Sequence, residues 1–351
     1  MKNILLTQEC INNKKFIILL VLLNIYALLK RKKEVTPKIS VFLPIYNMQN
    51  YIRKTLILLQ KQTLKDIEII SVNDYSVDNT YEILKEFAKK DKRIKVFNNT
   101  ENKGLLFSRA MGILHSSGKY LINLDPDDEF NDSDSLEYLY NKAIESNADI
   151  ISFSYLLGGR KKIKNLCDKY DTIINQPDLF DSMYKFNNCT KDTLIWNKLI
   201  KKEIFLRAYK LFEKYIYYRK WNFYEDNIWS LLVNKIAKTK LCIKKLIYIY
   251  NININNNSLM KKRKSIIEFS NVIYKFEMTK RILKEGKYFQ YMNTECNNLI
   301  KSINNRFPMY NHTNEILKNK IIDNLNNCIK FNNISLENKK NAQNIINMIN
   351  K

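Results

Sequence analysis

The sequence predicts an α/β fold, a mostly parallel sheet flanked by helices, and three observations predict it. From Lys38 to Tyr155, short runs rich in Ile, Val, Leu and Phe alternate with segments whose apolar residues recur at helical spacing. Strands separated by helices need right-handed crossovers, which pair them in parallel. Three of the strand ends carry polar or acidic clusters, and ligands of such sheets bind beyond the carboxyl ends of the strands.

The elements follow in order. "KISVFLPIYN" reads as a strand ending near Pro44, and "YIRKTLILLQKQ" has helical spacing. "DIEIISVND" is a second strand and "YEILKEFAKKD" a second helix. "RIKVFN" is the third strand, "NTENKG" a glycine-containing loop, and residues 105–115 a helix. The strand "KYLINL" runs into "DPDDEF"; a helix over residues 135–147 and the strand "ADIISFSY" complete the series. Beyond Leu259 the character changes. "SIIEFSNVIYKFEMTKRILKEG" and "EILKNKIIDNLNNCIKFNN" carry apolar residues at helical spacing, which predicts a helical C-terminal extension. The expected organisation is an N-terminal segment over residues 1–36, an α/β domain over 37–258 and the extension over 259–351.

The N-terminal segment contains the apolar run "FIILLVLLNIYALL", residues 16–29, between Lys14-Lys15 and Lys30-Arg31-Lys32-Lys33. It is shorter than the roughly 20 residues of a spanning helix and has no small-residue cleavage site after it. A membrane anchor or an interfacial helix is the expectation. The denser basic flank on its C-terminal side would keep the domain that follows in the cytoplasm.

At 351 residues and 45% hydrophobic, the chain can bury a core and does not have the composition of a disordered protein. Lys and Arg number 59 against 35 acids, a net charge of +24. That excess suits a phosphate-bearing partner, although runs such as "NININNN" and "NNKK" point equally to biased composition. No nucleic-acid-binding module accompanies the charge, so nucleic acid is not an expected partner. The six cysteines lie far apart and only two histidines are present, which excludes the usual zinc spacings and offers no disulfide framework. A reducing compartment follows as an expectation.

The acidic run raises a chemical question, because positions 125–129 hold four acids: Asp125, Asp127, Asp128 and Glu129. Carboxylates this close repel, and one would hold a proton unless something compensates. Mg²⁺ and Mn²⁺ prefer oxygen ligands and take one or two carboxylates together with substrate phosphates. Alternation along the strand would place Asp125 and Asp127 on one side, with Pro126 ending the pairing and Glu129 facing solvent. Each polar cluster alone has a plain structural explanation; Asp78, for example, suits a helix N-cap. Their convergence on one sheet edge is harder to obtain from capping.

The stretches "VFLPIYN", "VNDYSVDNT", "NKGLLFSRAMGI" and "SGKYLINLDPDD" occur in the order and at the spacing of the family 2 glycosyltransferases, which the chain resembles from about Lys38 to Tyr155. The resemblance continues more thinly through "IWNKLIKKEIF" and "FYEDNIW". It implies a GT-A fold and transfer of a sugar from a nucleotide-diphosphate donor to an acceptor hydroxyl of a glycan, lipid or protein, with inversion. It further implies that Pro44, Tyr46 and Asn47 line the nucleotide pocket, that Asp74 hydrogen-bonds the base or ribose, and that Asp78 supports that loop. Gly104 would let backbone approach the nucleotide, and Arg109 would face the pocket. Asp125 and Asp127 would be the DxD pair holding Mn²⁺ or Mg²⁺ on the diphosphate, with Asp128 beside them. Asp226 would be the catalytic base, and Trp196 and Asn197 part of the wall between donor and acceptor sites. This sequence departs from the family pattern where Tyr75 stands in place of a usual Gly, where Ala110 stands in place of a frequent Asn, and where Asn73 replaces a frequent Asp. The segment around Ser258 lacks the Arg of many relatives, for which Lys261, Lys262 or Arg263 could substitute. Two other readings stand beside this one: a nucleotidyltransferase on a related sheet, and a catalytically silent nucleotide-binding protein anchored at a membrane. The first would expect a basic, Gly-rich loop after the first strand, where the chain has "PIYNMQNY".

Overall fold

The computed structural model describes residues 36–158, 162–164, 170–181, 193–215, 225–251, 266–283, 291–304, 315–330 and 334–350. The apolar run at 16–29, the boundary near 258 and the basic residues 261–263 lie outside them. Among the described residues, no helix is long and apolar enough to cross a membrane.

The first strand, β1 (Ile39–Ile45), is buried along its whole length and lies between two parallel neighbours, β2 (Ile67–Asn73) and β4 (Tyr120–Asn123). β3 (Ile94–Asn98) continues the parallel edge beyond β2. The connecting helices are α1 (Ile52–Gln60), α2 (Thr80–Lys90) and α3 (Leu105–His115). Strand side chains alternate between faces, and this alternation builds two cores. Val41, Leu43, Ile69 and Ile122 join Leu56 of α1 and Leu84 of α2 on one side. Phe42, Ile70, Val72 and Leu121 join Leu106 and Ile113 of α3 on the other. A strand covered on both faces reads as a continuous apolar run, as "ISVFLPI" does.

After β4 come β5 (Glu129–Phe130), α4 (Ser135–Ser146), β6 (Ile150–Leu157), β7 (Lys162–Lys164), β8 (Ile173–Asn175) and α5 (Asp178–Asp181). They are followed by β9 (Lys198–Lys201), α6 (Lys202–Tyr215), α7 (Glu225–Ile236) and β10 (Thr239–Tyr250). The sheet runs β3-β2-β1-β4-β9-β6-β10-β5, with β7 on β6 and β8 on β10. It is mixed, which corrects the expectation of a mostly parallel sheet. β9 inserts antiparallel between β4 and β6, and β5, β7 and β8 also pair antiparallel. These strands are two to four residues long, too short to show a period.

Residues 37–351 form one compact unit. Its C-terminal part is helical: α8 (Ile266–Leu283), α9 (Met292–Asn304), α10 (Glu315–Ile329) and α11 (Leu336–Ile349). Val272, Ile273 and Phe276 of α8 belong to the same core as Ile228, Trp229 and Leu232 of α7, so these helices cover one face of the sheet domain. Cys296 of α9 and Cys328 of α10, both fully buried, are joined as a disulfide with Cα atoms 5.3 Å apart. This corrects the reading of unlinked cysteines. Helix packing brings together two positions whose spacing carries no signature, and cysteine usage then gives no argument for a reducing compartment.

Candidate functional site

The carboxyl ends of β1, β2 and β4, the start of α3 and the start of α7 meet at one edge of the sheet. Pro44 is buried inside β1 opposite Val72 and presents little surface, so its effect is on the course of the strand. Tyr46 and Asn47 follow, both exposed, and Asn47 adopts the left-handed conformation at φ 54°. Asn47 N–H donates to Ser76 Oγ at 2.9 Å, and Asn47 Oδ1 accepts from Val77 N–H at 3.0 Å. Asp78 bridges the same two loops, accepting from Gln49 N–H at 3.2 Å and from Thr80 N–H at 3.0 Å. It therefore serves the first turn of α2 as a cap does, although Asn79 occupies the N-cap position.

Tyr75 stands within this lattice at φ 59° with half of its surface exposed. A bulky side chain in that region costs about 1–2 kcal/mol relative to ordinary backbone, whereas glycine adopts it freely. The family's glycine at this position has its physical reason here.

Asp74 is buried, and its carboxylate is held by the β3–α3 loop. It accepts from Asn99 Nδ2 at 2.7 Å, Lys103 N–H at 2.9 Å and Gly104 N–H at 2.8 Å. The three bonds fold the β3–α3 loop against β2. They hold Gly104, the residue before α3, at φ 90°, where a side chain would be strained. Asp74 thereby anchors the loop, and Oδ2, which accepts one of the three bonds, keeps acceptor capacity for a further donor.

Arg109 is the centre of the site rather than part of an open pocket wall. It projects from α3, is 1% exposed, and its guanidinium collects four side chains. Nε donates to Asn123 Oδ1 at 3.1 Å, and Nη2 donates to Asp125 at 3.0 and 3.3 Å. Nη1 donates to Glu225 Oε1 at 2.7 Å and lies 2.5 Å from Asp226 Oδ1. The last contact is an ion pair without hydrogen-bond alignment, and Asp226 Oδ1 and Glu225 Oε2 have no hydrogen-bond partner. Burial disfavours the charge on Arg109, but Asp226, Asp125 and Glu225 outweigh it and hold the guanidinium protonated.

Arg109 contacts three carboxylates and Lys198 adds a weaker attraction at Asp226, yet burial dominates and the acids respond. Burial pushes Asp226 up to about 8, with Glu225 and Asp125 adding to the rise and Arg109 opposing it. Glu225 is raised as well, by burial first and against the pull of Arg109. About a fifth of the Asp226 side chain is open to solvent, against 7% for Glu225.

The acidic run forms a turn in which Asp128 N–H donates to Asp125 C=O at 3.0 Å, with Pro126 at the position where its fixed φ suits a turn. Thr55 Oγ donates to Pro126 C=O at 2.6 Å and ties the turn to α1. Asp125 and Asp127 keep partial exposure. Asp128 is buried: Oδ2 accepts from the Tyr248 hydroxyl at 2.8 Å and Oδ1 from Asn251 N–H at 2.8 Å. Burial, with Asp127 and Asp125 nearby, drives its pKa well up. Both Asp128 oxygens are thus engaged by protein donors, while Asp125 and Asp127 are the more exposed acids of the turn. Glu129 departs from expectation, since it pairs with Lys54 at 2.6 Å instead of facing solvent.

Trp196 lies under the turn, stacked on Tyr248 at 4.7 Å and Tyr250 at 5.3 Å, with Tyr155 edge-on at 4.7 Å. It is buried and forms a floor. Asn197 is fully buried beside it and accepts from Lys198 Nζ at 3.1 Å. Sequence reasoning missed Asn123, Glu225, Tyr248 and Asn251. Asn123 stands two positions before Asp125 and Glu225 directly before Asp226, and an acid or amide so near a site residue was the available signal.

Among the described residues no group of three or more His, Cys, Asp and Glu is arranged to hold a metal ion unaided. The chemistry of the donor set nevertheless fits a hard cation that brings its own ligands. Asp125 and Asp127 offer oxygen donors with partial exposure, and a diphosphate would complete the shell.

The carboxyl edge of this sheet thus gathers a guanidinium and several acids at one place. Residues 40–181 match the sequence profile of Glycosyl transferase family 2. The chain is 36% identical over 178 residues to the glycosyltransferase GlyA of Streptococcus pneumoniae, covering 49% of this chain and 25% of that protein. It is 28% identical over 222 residues to the uncharacterized glycosyltransferase EpsJ of Bacillus subtilis, covering 63% and 62%. A third relative, the cholesterol galactosyltransferase of Borreliella burgdorferi, is 33% identical over 180 residues, covering 48% and 49%. The chain thus spans between a quarter and about three fifths of the length of these relatives. Among solved structures, S. aureus TarS 1–349 in complex with UDP is similar at a TM-score of 0.62 and 15% identity, covering 89% of this chain and 88% of that one. That likeness shows the fold.

Proposed function

We propose that the chain transfers a sugar from a nucleoside-diphosphate donor to an acceptor hydroxyl, with inversion, at the edge formed by β1, β2, β4 and α7. The observation that carries this reading is the convergence of Asp125, Glu225 and Asp226 on buried Arg109. It sets the turn suited to a diphosphate beside Asp226, an acid of raised pKa with about a fifth of its side chain exposed. The likeness to a UDP-bound structure supports a nucleotide donor.

Asp226 acts as the base. The acceptor hydroxyl must lose its proton as it attacks, and an acid titrating near working pH is suited to take it. Arg109 and Glu225 fix Asp226 at the start of α7, so little reorganisation is needed at the moment of transfer. Asp125 and Asp127 would hold a divalent cation; such an ion supplies Lewis-acid stabilisation of the charge that develops on a leaving diphosphate. Tyr46 and Asn47 lie where the nucleoside would rest, while Asp74, Asp78 and Gly104 fix the loops around it. The acceptor is a glycan, lipid or protein. Membrane association would rest on residues 16–29 and would show as resistance to carbonate extraction.

The test is incubation of the purified protein with a panel of nucleotide sugars and Mn²⁺, following donor hydrolysis or transfer. Activity should appear with one donor class, disappear with EDTA and fall at least about 100-fold in Asp127→Ala. Activity unchanged by both would remove the cation from the reading.

A further inference from the structure

We propose that Tyr75 is a binding residue for the donor's nucleobase, offering an aromatic face beside Tyr46. The proposal rests on the nucleotide-donor reading above and extends it to a residue outside the acidic cluster. Its starting point is an imbalance. Tyr75 adopts φ 59°, a conformation that disfavours a large side chain, yet its ring is 51% exposed, so burial does not compensate for the backbone. Nor is the conformation accidental, because the chain on either side is fixed. Asp74 N–H donates to Ile45 C=O at 2.8 Å, and its carboxylate is bound by the β3–α3 loop. Ser76 Oγ accepts from Asn47 N–H and donates to Asn73 Oδ1 at 2.5 Å. The loop therefore holds the tyrosine out on a rigid mount.

The mount stands where a planar ligand would arrive. Ile45 and Asn73 are register partners at the ends of adjacent parallel strands, so Tyr46 and Tyr75 emerge one and two residues beyond the same rung. Neighbouring strands run about 4.8 Å apart, which puts both residues at the same carboxyl edge of the sheet. Tyr46 is 43% exposed and Val77, further along the loop, 77%. An apolar, half-open rim of this kind suits a flat heterocycle better than a phosphate. Every base has a π-face, so stacking tolerates base identity. Asp74, the acid nearest the rim, already accepts three bonds from the β3–α3 loop, and the exposed rings of Tyr46 and Tyr75 supply the apolar contact surface at this end of the site.

The experiment is titration calorimetry of the full chain with UDP, GDP, CDP and ADP in the presence of Mn²⁺, beside thermal unfolding of the free protein. Tyr75→Gly should weaken binding of the preferred nucleotide by about 10-fold or more and raise the unfolding temperature by a few degrees, because the strained residue is gone. Tyr75→Ala should weaken binding equally without that gain in stability, separating the ring from the backbone. Tyr75→Phe should bind within about 2-fold of the native chain, since stacking needs the ring and not the hydroxyl. Native affinity in the Gly and Ala variants would overturn the role of Tyr75 while leaving the donor reading in place. A native chain that binds none of the four nucleotides would overturn the donor reading, and this role with it.

Discussion

At the scale of single residues, the site turns on charge imbalance around Arg109. Removing that cation would leave Asp125, Glu225 and Asp226 facing one another at the edge of the core. Arg109→Met should therefore cost about 3–5 kcal/mol in urea unfolding, and a loss below about 1 kcal/mol would mean that the carboxylates already share protons and need no partner. Asp226→Asn works in the opposite direction. It removes one acid from an over-negative cluster, so the variant should be at least as stable as the native chain at pH 8 while its kcat falls by about 100-fold or more. The pH dependence follows from the raised pKa of Asp226. The base must be unprotonated, so kcat/KM of the native enzyme should rise as pH passes through about 8. For stability the sign is reversed: the folded state holds a proton that the unfolded chain releases near pH 4, so stability is fullest below that value and declines as pH rises toward about 8. A kcat/KM profile that is flat between pH 6 and 9 would exclude Asp226 as the base.

At the scale of elements, the three βα loops of the site were legible because each follows a strand with a clear apolar run and ends in turn-forming residues. The helix and strand at "LLFSRAMGILH" and "YLIN" were legible for the same reason. What could not be read was pairing. β9 is four residues long, and nothing in "KLIK" says that it separates β4 from β6 antiparallel. Glu225 was overlooked beside Asp226 because its partner Arg109 lies 116 positions away, a contact that only the fold creates. The opposite end of the sheet shows how tightly the elements are fitted. Gly118 N–H donates to Ser40 Oγ at 2.8 Å and to Glu68 at 3.1 Å, and a Cβ on Gly118 would stand 2.6 Å from the Ser40 backbone nitrogen. Backbone cannot yield as a flexible side chain can, and Glu68 is a buried carboxylate kept charged by Lys95, Ser40 and Ser117 against its desolvation. Gly118→Ala should lower stability by about 2–3 kcal/mol, with kcat of the folded fraction within about 2-fold of native because the site lies at the other end of the strands. Calorimetric unfolding and active-site titration would separate the two effects. A normal unfolding temperature would show that β1 and β4 can part at that point.

At the scale of the whole molecule, the question is whether the C-terminal helices are an appendage or part of the structure that holds the site. The sequence separates them from the α/β domain, since their apolar pattern changes and no chemical motif continues into them. The packing joins them. Trp229 and Leu232 of α7 share one core with Val272, Ile273 and Phe276 of α8, and α7 is the helix whose first turn carries Glu225 and Asp226. Lys235, in the last turn of α7, also donates to Ile282 C=O at 2.6 Å. A chain ended after Asn251 would remove the α8 part of the core that α7 shares, and burial of a large side chain is worth about 1.5–3 kcal/mol; several such residues lose their cover together. The shortened chain should therefore bind a hydrophobic dye and lose donor affinity, while the full chain unfolds from Pro37 onward in a single transition followed equally by tryptophan fluorescence and circular dichroism. A shortened chain that stays soluble, unfolds cooperatively and retains nucleotide affinity would show instead that the sheet domain stands alone, and that α8 to α11 serve something other than the placement of α7.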